Sequence, residues 1–383
     1  MVPKGKKIGY IRHIGQLRWG RRRGGAGGGT GGKSLASREL VVLAGGMRIE
    51  RWDPTDETTA LGCYEVSLAA HRVDEPIEPP MSAGTFGLYL REGFEKTPGE
   101  TWVASDAEGG IVGFYRMNLW DLENLDRASM GPVVHPAVRR RGFGSALLRH
   151  EAARAAAHGR SIVDGPVVTG SAGEAFAQAL GAKLELDEAR REQYLAKIEP
   201  GLIASLRAAA ARSSVGYSLV NWAGQIPEKF FGPLAHVMNA YADAPRGEGV
   251  QPEAWDAERV RDRTNTLVRA GLLRGYGVAA LHDATGEMAA FSGLLVDPEA
   301  PQWGFQQLTA VTRPHRGHRL GVLVKTAMLE LLAEAEPELK YIVTGNAAAN
   351  QHMIAVNEQL GYEVVEPGWQ FYEMPVTAIL GQS

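Results

Sequence analysis

The chain has 383 residues and a formal net charge of −3, enough length for two or three domains of ~100–200 residues each. Its one cysteine, Cys63, excludes an internal disulfide framework and a metal site built on several thiolates, and no metal is expected. No apolar run approaches the ~18 residues of a membrane span and no apolar stretch follows the first charges, so neither a membrane partner nor a secretory signal is expected, and the expected setting is a reducing cytoplasm.

The small net charge is the sum of two unlike parts. Residues 1–48 carry eleven Lys/Arg against one acid, Glu39, while the rest carries 30 basic and 43 acidic side chains. Residues 20–33 are mostly Gly and Arg, a composition that buries too little apolar surface to offset ordering entropy. Residues 1–46 are therefore read as a disordered Gly/Arg-rich arm. Gly27-Gly-Gly-Thr-Gly-Gly-Lys33-Ser34 matches a phosphate-binding loop pattern, but such a loop needs a strand to deliver it, and Arg21–Ala26 is no strand. The match reads as chance in a glycine-rich tract. The arm's charge would suit nucleic acid, which is nonetheless not the expected partner, because Met47-Arg-Ile-Glu-Arg-Trp52 reads as a fresh domain start.

Beyond the arm the chain repeats itself. Trp102–Ser105 and Ile111–Tyr115 flank an Asp-Ala-Glu-Gly-Gly turn, the signature of a hairpin. A short strand ending at Val134 follows, then a basic Gly-containing loop, a helix over Ser145–His158 and a strand at Ser161–Val163. After a linker near 199–215 containing a helix-like Leu202–Arg212, the order recurs: a hairpin from Tyr276–Leu281 and Met288–Val296, a strand ending at Val311, a helix over Val322–Ala335 and a strand at Tyr341–Thr344. An offset of 177 carries Asp106 onto Asp283, Phe114 onto Phe291, Val134 onto Val311, Arg139 onto Arg316 and Gly144 onto Gly321. A constant offset across different residue types predicts two α+β units of one fold, 47–198 and 216–378, each with mostly antiparallel strands.

The chemistry is expected in the two loops. In Val134-His-Pro-Ala-Val-Arg139-Arg140-Arg141-Gly142-Phe143-Gly144-Ser145 a strand ends and a helix begins among arginines. Glycines let backbone N–H groups approach a ligand, and the helix N-terminus adds partial positive charge, so the loop suits pyrophosphate. Its partner runs Val311-Thr-Arg-Pro-His-Arg316-Gly317-His318-Arg319-Leu320-Gly321-Val322.

Both loops resemble the acyl-CoA motif of the GNAT superfamily of N-acetyltransferases, Arg/Gln-x-x-Gly-x-Gly/Ala. Arg139-x-x-Gly142-x-Gly144 matches fully, whereas Arg316-x-x-Arg319-x-Gly321 departs at the middle glycine. Asn346, Asn350, Met353, Asn357 and Leu360-Gly361-Tyr362 extend the resemblance, and the whole body is similar to tandem GNAT proteins of the mycothiol synthase type. That resemblance implies two tandem GNAT-like domains, acetyl-CoA or another acyl-CoA as cofactor, and transfer of the acyl group to the amine of a small molecule by a monomer or homodimer. It places Val134 and Val311 on the strand edge that pairs with pantetheine, with a backbone N–H near Val311 contacting the oxyanion. Residues 139–145 and 316–322 would hold the pyrophosphate. Asn346 and Asn350 would lie beside the coenzyme, Asn350 serving there or as a helix cap.

The family often has a Tyr acid where Asn357 stands here, and an amide cannot act as an acid. Asn357 is thus left to position water or the thiol, and Gln306 and Gln307 occupy the stretch where relatives often carry a Glu, so the base is unassigned. The first unit has Ala177 and Gly170 at the places of Asn357 and Asn350, which makes the second unit the expected catalytic one. Asp243 either binds the amine or ends a turn before Pro245. The missing Tyr and Glu also leave open a non-catalytic, acyl-CoA-binding or regulatory protein.

Overall fold

A computed structural model of the chain describes residues 40–42, 46–129, 131–240, 249–264, 266–348 and 350–381. The Gly27–Ser34 tract, the predicted disorder of residues 1–39 and Asp243 lie outside them. The first half runs β1 (Leu40–Val42), β2 (Arg48–Arg51), α1 (Glu57–Asp74), α2 (Ala83–Glu92), β3 (Gly99–Ser105), β4 (Ile111–Leu119), β5 (Arg127–Ser129), β6 (Val133–Val134), α3 (Phe143–Ala157), β7 (Ile162–Val168), α4 (Ala172–Ala179) and β8 (Lys183–Tyr194). Helix α5 (Leu202–Ser213) leads to β9 (Tyr217–Ala223), α6 (Phe231–Ala240), α7 (Ala257–Arg263), α8 (Thr266–Arg269), β10 (Arg274–His282), β11 (Met288–Val296), β12 (Trp303–Val311), α9 (Leu320–Ala335), β13 (Tyr341–Ala347), α10 (Gln351–Gln359), β14 (Tyr362–Val364), β15 (Trp369–Pro375) and α11 (Val376–Leu380). The sheet begins earlier than Met47, since the β-branched run of β1 pairs antiparallel with β2.

The architecture is α+β, a mostly antiparallel sheet flanked by helices, and its layers repeat. In the second half α5, α9 and α10 cover one face through Ala210, Leu323, Met328, Val356 and Leu360, and α6 and α7 cover the other through Leu234, Val237 and Val260 packed on Trp222 and Phe291. In the first half α3 and α11 pack one face through Leu147, Ala152, Val376 and Ile379, with α1 and α2 opposite through Cys63, Val66, Phe86 and Leu90. The predicted hairpins are β3–β4 and β10–β11. Helices α3 and α9 start two residues before the expected Ser145 and Val322, because the turn ends on left-handed residues at Gly142 and Arg319.

The strands form one continuous sheet in the order β1-β2-β3-β4-β5-β7-β15-β8-β13-β12-β11-β10-β9. The last strand of the chain, β15, therefore lies inside the first half, between β7 and β8. In return the far end of β8, from Glu188 to Tyr194, pairs with β13 of the second half. Helix α11 then seals Val376 and Ile379 into the first-half core. Each half is completed by a strand from the other, so neither can lose its sheet order alone. Calorimetry is expected to record one unfolding transition for both halves, and two separate transitions would contradict this coupling.

Candidate functional site

In each half one pair of neighbouring parallel strands diverges. Strands β12 and β13 pair only at Trp303↔Tyr341, Gly304↔Ile342 and Phe305↔Val343. Beyond Phe305 the β12 edge toward β13 pairs with no described strand, while its other edge stays on β11 as far as Ala290↔Val311. Thr312 N–H donates to Ala289 O of β11, so strand alternation turns Val311 N–H toward the gap. In the first half β5 and β7 pair at Arg127↔Ile162 through Ser129↔Asp164, and Val133–Val134 pairs with β4 alone.

Both gaps end at the two expected loops, and the loops follow one backbone path. Arg140 and Gly142 have φ of 66° and 88°, and Gly317 and Arg319 have 88° and 55°. The glycine has changed places between the two left-handed positions, which explains how the second loop keeps its course without the motif's middle glycine. The cost falls on Arg319, at about 1–2 kcal/mol for a non-glycine residue. The first α-helical bonds are Ala146 N–H to Gly142 O and Leu323 N–H to Arg319 O, so the amides of 143–145 and 320–322 precede the helical ladder at a positive dipole end. Arg139 Nε donates to Val134 O and Arg316 Nε to Val311 O, both at 3.2 Å. Arg139 is also clamped by Asp74 at 2.9 and 2.6 Å. Tyr217 OH pairs with His315 Nδ1 at 2.9 Å, and Ser214 Oγ donates to His318 O at 2.7 Å. These two histidines thus anchor the second loop to β9 and α5.

Beside the second gap lies a buried polar chain. Lys325 Nζ donates to Asn357 Oδ1 at 2.7 Å, and Asn357 Nδ2 donates to Asn346 Oδ1 at 2.8 Å. Tyr362 places its ring 4.5 Å from the Lys325 nitrogen, and burial pulls the lysine down to about 7. Asn346 stands three residues beyond the last β12–β13 pair, and its side chain has no other hydrogen-bond partner among the described residues.

Residues 97–181 match the family model of the Acetyltransferase (GNAT) domain. A tandem GNAT protein from the clavulanic acid biosynthesis pathway is 28% identical over 88% of this chain and 99% of its own, with a TM-score of 0.71. The chain has the fold of a tandem GNAT protein. A GCN5-related N-acetyltransferase from Sphaerobacter thermophilus, 14% identical, shares the fold over 88% of this chain and 97% of its own, with a TM-score of 0.61. No curated protein matches in sequence. The fold is that of acyltransferases.

Within this tandem GNAT fold, the structure brings Val311, the second loop, Asn346 and Asn357 around one gap, and Val134 with the first loop around the other. Arg140, Arg141, Gly142, Ser145, Arg316, Gly317, His318 and Arg319 are exposed at the loop surfaces, with Phe143 and Gly144 half-buried. Leu320 and Val322 put their side chains into the core, so only their backbones face the loop. Asn350 caps α10, its Oδ1 accepting from Met353 N–H at 3.3 Å. Asn357 is 1% exposed, with both amide atoms bonded to protein, so any part it has in a reaction is indirect. Gln306 is locked by its Nε2 donating to Gly293 O at 2.6 Å. Gln307, by contrast, keeps a buried Oε1 with no hydrogen-bond partner.

Two residues of this neighbourhood escaped the sequence reading. Lys325 interrupts an apolar run, Leu323-Val-Lys-Thr-Ala-Met328, a signal open to notice. Glu188 on β8 carries none, because it belongs to the other half of the sequence. Among the described residues no group of acidic, His or Cys side chains could hold a metal ion, and no helix is long and apolar enough to cross a membrane.

Proposed function

We propose that this protein transfers an acyl group, most simply acetyl, from acyl-CoA to the amine of a small molecule, and that the second half carries the reaction. The observation that supports this most is the unpaired β12 edge from Gln306 to Val311, which ends at a helix N-terminus with outward amides. An extended ligand arm can add to such an edge as a strand, and its pyrophosphate can sit on the amides of 320–322. The orphaned Gln307 Oε1 beside the gap offers an acceptor for an N–H of that arm. These residues fit acyl-CoA, whose thioester supplies an activated acyl carbon.

The chain's own groups then have distinct tasks. Val311 N–H, turned to the gap, is placed to donate toward the carbonyl oxygen as negative charge develops there. Lys325 fixes Asn357, and Asn357 fixes Asn346, so that Asn346 Nδ2 is the donor left for the coenzyme side. The first half has a strand broken into β5 and β6 where the second has one nine-residue strand. Together with the Asp74 clamp on Arg139, this suits a coenzyme-binding or supporting role for the first half. Incubation with acetyl-CoA labelled in the acetyl carbon, followed by mass spectrometry of a set of amines, tests the assignment. Label in an amide product supports it, and label recovered only as intact acetyl-CoA refutes it.

A further inference from the structure

Glu188 is 8% exposed, and its carboxylate has no hydrogen bond or ion pair among the described residues. Such a group is costly to bury, and nothing around it returns that cost. Its place in the sheet is defined by register. Glu188 stands opposite Ala347, Arg190 opposite Gly345 and Glu192 opposite Val343. Directly opposed residues share a face. Ile342 packs in the α9/α10 core and Asn346 bonds Asn357 of α10, so Gly345, Arg190 and Glu188 lie on the other face, the side covered in this half by α6 and α7.

The carboxylate lies against Gly345, where an added Cβ would come within 2.6 Å of Glu188 Cδ. Gly345 is two residues past Val343, the last β13 residue paired with β12. Glu188 therefore overlooks the gap from the face opposite the Lys325–Asn357–Asn346 chain. Charged groups on its side are Arg190 and Glu192 of β8, with Glu78 and Glu75 following α1. Arg190 is taken by Glu78 and, at 3.6 Å, by Glu192, and Trp369 of β15 is the uncharged neighbour opposite Glu188. The second half's own residues offer Gln306 and Gln307 of β12 where a base would help, and Asn357 of α10 where an acid would.

We propose that Glu188 is the general base for acyl transfer in the second half, so that the first half supplies the proton acceptor through the exchanged strand. This rests on the acyl-transfer reading above. An ionised Glu188 oxygen takes one proton from the ammonium of the acceptor. The neutral nitrogen forms a C–N bond to the thioester carbonyl carbon. The C–S bond breaks, sulfur keeps the electron pair and takes the second proton from nitrogen, and the products are the amide and the thiol. Glu188 then returns its proton to water. Burial pushes this carboxyl up to about 8, close to the working pH at which a base is most effective.

The test uses the full chain, acetyl-CoA, and spermidine, glucosamine, tyramine and lysine as acceptor probes, with thiol release followed from pH 6 to 10. For the native protein kcat/KM is expected to rise with pH and break near 8, because the base works only when deprotonated. Glu188→Gln should lose roughly 10²–10³-fold in kcat/KM and the break at 8, leaving only the rise from the amine's own ionisation. Acetyl-CoA affinity should hold and the melting temperature should not fall, since the isostere keeps the side chain's shape and removes an unpartnered buried carboxylate. Glu188→Asp, with the carboxylate drawn back by one methylene, should lower kcat more than it changes KM. A Glu188→Gln protein that keeps native kcat/KM or the break at 8 overturns the proposal. If the native protein binds acetyl-CoA and releases no thiol with any probe, the acyl-transfer reading fails, and this proposal fails with it.

Discussion

Replacing Glu151 by methionine is expected to stabilise the protein, and to do so more as pH rises. Glu151 lies in α3, fully buried, with no hydrogen-bond partner for either carboxylate oxygen. Burial, with a smaller contribution from Asp164, raises its pKa well above the ordinary range. The folded protein thus holds a proton that the unfolded chain releases near pH 4.3. Stability from this group is intact below that pH and is lost as pH rises toward the folded value. Each pH unit in that window costs up to about 1.4 kcal/mol. The counterpart of Glu151 at the 177-residue offset is Met328, buried in the second-half core at 1% exposure, so methionine is the side chain the same helix position already accepts. Denaturant unfolding at pH 4.5 and pH 7 should give a Glu151→Met advantage that grows between the two. An equal difference at both would show that Glu151 finds a partner in solution.

The largest effect on activity is expected from Gly321→Asp. A Cβ at Gly321 would meet nothing nearer than Val311 Cγ2 at 3.9 Å, so the backbone need not move, and a carboxylate in the first turn of α9 favours the helix. The same carboxylate would occupy the ground proposed for the pyrophosphate. At about 5 Å and an effective dielectric of about 20, each phosphate charge adds about 3 kcal/mol of repulsion. Coenzyme affinity and thiol release should fall by at least roughly two decades while the melting temperature holds. Gly144→Asp is the matched control, its Cβ lying 3.8 Å from Phe176 and Val134. It should spare turnover if the second half alone catalyses. Equal loss from the two variants would move catalysis to both halves or to the first.

The duplication was legible because residues under backbone constraint recur at one offset: the turn at Asp106 and Asp283, the arginines 139 and 316, and the glycines 144 and 321. The loop path was legible only in part. The motif lacks its glycine at Arg319, and the compensating Gly317 one step after Arg316 shows its purpose only when both left-handed positions are seen together. Strand exchange was not legible. Leu184 and Leu186 followed by Glu188, Arg190 and Glu192 alternate as any half-exposed strand does, and alternation names a face, not a partner. For the same reason Glu188 could not be assigned to a gap built by residues 303–347. Asn357 drew attention by position, yet its amide is spent on Lys325 and Asn346, a partner set decided by packing among α9, β13 and α10.

Acyl transfer by the full chain is tested by amine-dependent release of thiol from acetyl-CoA, with the N-acetylated product weighed by mass spectrometry. One thiol should be released for each amide formed, with at least one primary amine. Saturable acetyl-CoA binding with no thiol release across primary amines of every class would contradict it and mark the tandem protein as a coenzyme binder without transfer.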